Sequence, residues 1–352
     1  MYDTTLSETR RRDWDGDATG TLRLAIVGCG NYARSVSIPA IVEGRYAEAT
    51  VAVSGDPDKR ASLADEFGVT AVDYDEYEAG AATDEYDAVY VATPNRLHLP
   101  HVRTAASHGK HVICEKPLEA TVARAEELVA ACEDAGVRLM TAYRMQTDPV
   151  MRRLREFVAD GGIGDLRRAT GDFAFPVLGG GRDPDQWRLD GRLAGGGALY
   201  DVGVYPLNTA RFLAGDDPVA VSATTRSPDP AFDEVDQYAD FRVEFDDWVG
   251  GFSAAFSGRE HTFLELLGSD GRVAVESAFQ PGVARDVTVE TAEGRVAVAD
   301  AGADETVEEF DYFAHAVLSD GDIEPDGADG LVDMRTLKAI QESAASGARV
   351  EL

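Results

Sequence analysis

Leu22-Arg23-Leu24-Ala25-Ile26-Val27-Gly28-Cys29-Gly30-Asn31-Tyr32-Ala33 decides the fold. Its first six residues form a short apolar run, which reads as a strand buried inside a parallel sheet. The spacing GxGxxA follows at once, and a helical pattern then continues through Ile41. In a strand–turn–helix each position has a task. Gly28 permits the tight turn, Gly30 lets a pyrophosphate approach the backbone, and Ala33 lets the helix pack closely on the strand. The first amides of the new helix point at the phosphates. Gly28, Gly30, Asn31, Tyr32 and Ala33 are therefore candidate cofactor-binding residues.

Outward from this stretch, strands and helices alternate. Ala49–Val53, Asp87–Ala92, His111–Cys114 and Arg138–Tyr143 read as strands, with helices over Leu97–His108 and Thr121–Ala135. The alternation implies a doubly wound parallel sheet of the Rossmann type, with ligands at the carboxyl ends of its strands. Thr93-Pro94-Asn95 and Glu115-Lys116-Pro117 stand at two such ends. The second strand is followed by Ser54-Gly55-Asp56-Pro57-Asp58-Lys59-Arg60. An NAD binder places an acid there, on the ribose hydroxyls. Gly55 occupies the expected acid position, Ser54 offers a hydrogen bond, and Lys59 and Arg60 offer positive charge. NADP is expected, with NAD weaker. Asp56 is the opposing signal, because a small shift of register puts it on the ribose.

After Asp148 the pattern changes. A helix over Pro149–Val158 is followed by alternating runs at Leu166–Phe175, Val219–Thr225, Tyr238–Phe245, Val249–Ser257, Thr262–Leu267, Arg272–Val275, Val287–Glu290 and Arg295–Val298. Helices are expected over Phe310–Leu318 and Asp329–Ala345. The expectation is an α/β domain with a large, mostly antiparallel open sheet covered on one face by helices. Its bare face predicts a homo-oligomer, dimer or tetramer. The expected division is a polar extension over 1–20, a nucleotide-binding domain over 21–145, and a substrate and oligomerisation domain over 146–352.

Composition limits the partners. The 352 residues carry 33 Lys and Arg against 64 Asp and Glu, a net charge of -31. Such a surface repels nucleic acid and anionic membranes, and its acids are spread along the whole chain as in proteins of salty cytoplasm. Cys29, Cys114 and Cys132 form no CxxC pair, and no metal-ligand spacing occurs, so no metal is expected. Arg10-Arg11-Arg12 is followed by acids and not by an apolar stretch, so an export signal is not expected and the cytoplasm is.

GxGxxA, then Thr93-Pro94-Asn95 with His98, then Glu115-Lys116-Pro117 resembles the Gfo/Idh/MocA oxidoreductases. Tyr143-Arg144, Asp148-Pro149, Asp185-Gln186-Trp187-Arg188-Leu189 and the run from Leu193 to Asn208 resemble its glucose–fructose oxidoreductase-like branch. The resemblance covers about residue 22 to the end. It implies NADP and oxidation of C1 of an aldose, D-xylose foremost, with a dihydrodiol dehydrogenase or another aldose or polyol oxidoreductase as the alternative within enzymes. A non-catalytic NADP-sensing regulator is the alternative of another class. The implied roles are Lys116 polarising the hydroxyl, Tyr205 as acid/base, and Asp201 positioning the substrate or Lys116. Tyr143 and Trp187 join these three on the substrate. Thr93, Pro94, Asn95, His98, Glu115, Lys116, Arg144, Trp187 and Arg188 join the cofactor set. Many members carry His where this chain has Tyr205. Asp201 and Tyr205, four apart, share one face of a helix. Plainer roles stay open: a loop charge for Lys116, a core aromatic for Tyr205, a helix-end acid for Asp201. Lone His261 reads as structural.

Overall fold

The computed structural model describes residues 11–16, 18–181, 184–302 and 304–352. The first ten residues of the expected extension, Arg10 included, lie outside the described residues. The chain divides into two compact units.

One unit comprises Trp14–Arg144 and Thr306–Leu331. Its sheet contains β1 (Leu22–Val27), β2 (Ala47–Val53), β3 (Thr70–Val72), β4 (Ala88–Val91), β5 (His111–Glu115) and β6 (Leu139–Ala142). The order is β3-β2-β1-β4-β5-β6, and every pairing is parallel. The order reverses direction between β1 and β4, so a crevice opens at the carboxyl ends of those two strands, where such folds hold ligands. β1 is buried along almost its whole length, as a strand covered on both faces must be. β3 is three residues long, too short for its apolar pattern to stand out in the sequence.

Two parts of this unit differ from the linear division expected. Trp14 is not in a solvated extension: its ring meets Tyr46, Tyr312 and His315 edge-on or tilted, at 5.3–6.4 Å between centroids. The amide of Gly16 donates to His315 Nε2 at 3.1 Å. The second difference is the return of Thr306–Leu331. The helix Glu305–Leu318 buries Phe310, Phe313 and Ala314 in the core cluster that holds Leu22, Leu24, Ile26 and Tyr90. Past it, the amide and hydroxyl of Thr141 donate to the carbonyls of Pro325 and Asp326. An apolar helix face and two hydrogen bonds thus attach a distant segment to the first sheet.

The other unit comprises Met145–Glu305 and Val332–Leu352, together with Arg11–Asp13. Its nine strands are β7 (Leu166–Ala174), β8 (Ala220–Arg226), β9 (Tyr238–Glu244), β10 (Val249–Ala255), β11 (His261–Gly268), β12 (Gly271–Glu276), β13 (Arg285–Thr291), β14 (Gly294–Ala301) and β15 (Val350–Glu351). They are ordered β14-β13-β12-β11-β7-β10-β9-β8-β15, antiparallel except for β7 with β10. Burial alternates along the central strands. Ala169, Gly171 and Phe173, Phe241 and Val243, and Leu264 and Leu266 are buried, and the residues alternating with them are half-buried or exposed. One face therefore carries the core. Against it lies the helix Val204–Ala214, on which the helix Pro149–Ala159 packs in turn.

A buried ionic cluster ties this unit together. Arg285 pairs with Asp148 at 2.9 Å and with Glu305 at 3.4 Å, all three almost fully buried. Asp148 also caps the helix Pro149–Ala159 by accepting from the amides of Val150 and Met151. Burial pushes the Asp148 carboxyl up, against the pull of Arg285.

Candidate functional site

The turn after β1 has the shape the glycine spacing requires. Gly28 takes φ +95°, and a Cβ there would stand 2.7 Å from Thr93 Cγ2 and 2.8 Å from the carbonyl of Ala92. Only glycine fits, because both the dihedral and the contact with the end of β4 exclude a side chain. A Cβ on Gly30 would meet nothing within 4 Å. Ala33 is buried and opens a π-helical turn, Ala33–Ser37, where a plain helix is expected. Asn31 is exposed and Tyr32 half-buried at the lip of the turn.

At the end of β2 the structure decides the role of Asp56. Its Oδ1 accepts from the amides of Asp58 at 2.9 Å and Lys59 at 3.1 Å, making it the N-cap of the helix Pro57–Phe67. Ser54 is buried, and its carbonyl accepts from Arg60 Nη1 at 2.7 Å. Gly55 and Lys59 are exposed. The ring of Tyr74, absent from the sequence expectations, stands 3.4 Å from the Cβ position of Gly55.

The ends of β4 and β5 are joined by His98. Its Nε2 faces the carbonyl of Thr93 at 2.9 Å and its Nδ1 the carbonyl of Leu118 at 3.1 Å, with the ring fully buried. Both nitrogens are thus turned to backbone. His98 thereby bridges the two strand-end loops. Thr93 Oγ1 is buried without a hydrogen-bond partner. Asn95 is buried, and Pro94 and Lys116 are half-buried. Glu115 is held from two sides. Tyr90, itself 3.1 Å from Ser37 Oγ, donates to Oε1 at 2.6 Å, and the amide of Lys116 donates to Oε2 at 3.2 Å. Tyr90 and Ser37 carried no sequence signal of this role, because a tyrosine in a buried strand reads as core. Tyr143 and Arg144, at and just past the end of β6, are buried. The open space at Gly30 and the unpartnered hydroxyl of Thr93 fit a dinucleotide at this edge.

In the other unit, Asp201 lies in a π-helical turn, Leu199–Gly203, which passes directly into the helix Val204–Ala214 carrying Tyr205. The plain helix expected for the pair is replaced by this wider turn, a feature frequent at functional sites. Arg188 Nε donates to Asp201 Oδ2 at 2.9 Å, and the Arg188 guanidinium stacks 4.7 Å over Trp187. Arg188 therefore sets the carboxylate of Asp201. Tyr205, half-buried, packs against Phe173 at 5.3 Å and Phe279 at 5.9 Å between ring centroids. These two phenylalanines were not legible as site residues. His261 is exposed at the start of β11.

The family model described as the oxidoreductase family with an NAD-binding Rossmann fold matches residues 22–143, and that of the GFO/IDH/MocA C-terminal domain matches residues 151–274. A D-xylose 1-dehydrogenase [NADP(+)] of Haloarcula marismortui is 41% identical over 349 residues, 97% of each chain. The chain belongs to the Gfo/Idh/MocA oxidoreductase family. A second member, D-xylose 1-dehydrogenase (NADP(+)) 2 of Haloferax volcanii, is 34% identical over 94% of this chain and all of its own. Among solved structures, the aldose-aldose oxidoreductase of Caulobacter crescentus in complex with glycerol superposes with a TM-score of 0.89. It is 32% identical over 95% of this chain and 100% of its own.

Proposed function

We propose that this Gfo/Idh/MocA protein is an NADP-dependent aldose dehydrogenase that oxidises C1 of a pentose, D-xylose foremost, to the lactone or its acid. The observation that carries the reading is the near full-length relationship to the Haloarcula D-xylose 1-dehydrogenase [NADP(+)]. NADP is further supported at the end of β2. One carboxylate oxygen of Asp56 is engaged as the cap of its own helix, and the same loop carries Ser54, Gly55 and the cation Lys59, a combination that favours a 2′-phosphate over a bare ribose.

When bound, the nicotinamide takes the C1 hydride, and the protein's task is to orient the sugar and move one proton. In this reading Tyr205 accepts the proton of the C1 hydroxyl and Lys116 polarises that hydroxyl. Asp201, fixed by Arg188, orients the sugar, and Trp187 offers a ring face. Glu115, fixed by Tyr90 and the Lys116 amide, would hold the nicotinamide ribose. His98 bridges the Thr93 and Leu118 carbonyls and so steadies the loops beside the dinucleotide. Lys116, Asp201 and Tyr205 are all present, which favours an enzyme over a sensing regulator.

An aromatic substrate of the dihydrodiol kind is the second reading, favoured by the Phe173–Tyr205–Phe279 cluster. Initial rates on a panel of pentoses, hexoses and trans-dihydrodiols, each with NADP and with NAD, separate the two. The half-exposed face of the nine-stranded sheet, including Thr170, Phe263 and Ala274, is proposed to pair with a second copy of the chain. No helix of the described residues is long and apolar enough to cross a membrane. A cytoplasmic location in a salt-adapted cell is proposed from the acidic composition.

A further inference from the structure

The segment that carries Asp201 and Tyr205 starts on three consecutive amides, at Gly197, Ala198 and Leu199. One residue satisfies all three. Asp236, in the loop before β9, accepts from Gly197 at Oδ1 (2.8 Å) and from Leu199 at Oδ2 (2.7 Å), while its own carbonyl accepts from Ala198 at 2.9 Å. The approach is so close that a Cβ on Gly197 would stand 2.0 Å from the Asp236 carbonyl. Two residues earlier on the same loop, Glu234 Oε2 accepts from the amide of Gly191 at 3.1 Å, just beyond Trp187 and Arg188. On the opposite side, Tyr200 and the carbonyl of Gly195 are held by Gln341. The segment 187–205 is therefore pinned at two points by one acidic loop.

We propose that Asp236 is a positioning residue for the substrate side of the site: its two carboxylate oxygens fix the π-turn that sets Asp201 and the first turn of the helix that sets Tyr205. The proposal deepens the reading in which those two residues handle the sugar, and rests on it. A carboxylate is required because both of its oxygens accept; an amide or a protonated acid offers one acceptor and turns a donor toward the other N–H. A negative charge at the start of this turn also meets the positive end of the helix.

The electrostatics make the device costly, and therefore readable. Burial pushes the Asp236 carboxyl up to about 6, the hydrogen bonds from the amides of Leu199, Gly197 and its own backbone notwithstanding. The titratable side chains around it are Tyr200 on the turn itself, Glu342 acting on Tyr200 from the last helix, and Glu234 on its own loop, which is committed to Gly191. None is a cation. A group whose folded value is raised gives its full stability below its unfolded value and loses it as pH rises through the folded value. At neutral pH Asp236 is thus held ionised at the expense of stability, while its positioning role demands the ionised form.

The test compares wild type, Asp236→Asn and Asp236→Glu by initial rates from pH 5 to 8 and by thermal melting at pH 4.5 and 7.5. Asp236→Asn is expected to lower kcat/KM for the sugar by about 10- to 100-fold, in the range of lost positioning interactions. It should leave KM for NADP within about twofold, since the dinucleotide is bound elsewhere. It should also abolish the acid limb centred near pH 6. Its melting temperature relative to wild type should be more favourable at pH 7.5 than at pH 4.5. Asp236→Glu should recover part of the rate. Wild-type sugar kinetics with an unchanged acid limb in Asp236→Asn would overturn the proposal. So would an equal loss toward sugar and NADP with the same melting deficit at both pH values, because that marks a merely structural role. If wild type oxidises no aldose, the functional reading fails and the positioning claim is decided by hydrogen exchange. Faster exchange, by about tenfold or more, confined to the 195–204 peptide of Asp236→Asn upholds it, and unchanged exchange there overturns it.

Discussion

Replacing Lys59 by Ala tests the assignment of the 2′-phosphate site without disturbing the fold. Lys59 is exposed, and its backbone amide, not its side chain, is used by the Asp56 cap, so the substitution leaves the helix Pro57–Phe67 intact. A 2′-phosphate carries roughly −1.5 to −2 charges near neutral pH. One cation about 4 Å away gains about 1 kcal/mol per unit charge in a water-like dielectric. The loss on removal is therefore about 1.5–2 kcal/mol, which is roughly a 10- to 30-fold rise in KM for NADP. NAD lacks the phosphate, so its KM should move less than about twofold. Arg60 makes the internal control. Its Nη1 already holds the Ser54 carbonyl at 2.7 Å, so Arg60→Ala loosens the ribose loop itself and should weaken both dinucleotides. The assay is KM for each cofactor at saturating sugar and one fixed KCl concentration, because salt screens the phosphate contact. Equal losses for NADP and NAD in Lys59→Ala, or no loss for NADP, would refute the reasoning.

Four further outcomes follow from the same geometry. Lys116→Met and Tyr205→Phe should each lower turnover by about 10²–10⁴-fold with small changes in NADP affinity, and the double variant should be little worse than the worse single; rate measurements with a fluorescence titration of NADP check this. The melting temperature should rise from dilute buffer into molar KCl, because -31 net charges repel one another less when screened; a flat profile by differential scanning calorimetry counts against it. Arg285→Met strands Asp148 and Glu305 in the core and should cost about 3–5 kcal/mol in denaturant titrations, the usual penalty for breaking a buried ion pair. Burial lowers His101 to about 4, so the neutral ring is the folded form; stability should fall as pH drops from about 6.5 to 4, by about 3 kcal/mol at most, and His101→Gln should flatten that fall in melts across this range.

Much of the parallel-sheet unit was legible because its rules are local. Gly28 announces a positive dihedral, and Thr93 and Glu115-Lys116 stand where strands must end. Asp56 was legible in principle as well: Asp followed by Pro is a helix-start signature, and it marks the acid as a cap. Other features depend on what the chain brings together from a distance. The periodicity of Glu305–Leu318 announces a helix but not that Phe310 and Phe313 return to cover the first sheet. Tyr90 reads as an ordinary core residue until its hydroxyl is found on Glu115. Phe173 and Phe279 lie 106 positions apart in sequence and meet only around Tyr205. Asp236 resembles any loop acid, and only the three amides at 197–199 give it a task.

The central claim is tested most directly by the initial rate of NADPH formation, followed by absorbance in molar KCl with D-xylose as the only substrate and NADP or NAD as acceptor. Expected are saturable turnover with NADP, a clear preference for it over NAD, and stoichiometric appearance of xylonolactone or xylonate. NADP binding without oxidation of D-xylose or any other aldose would contradict the claim.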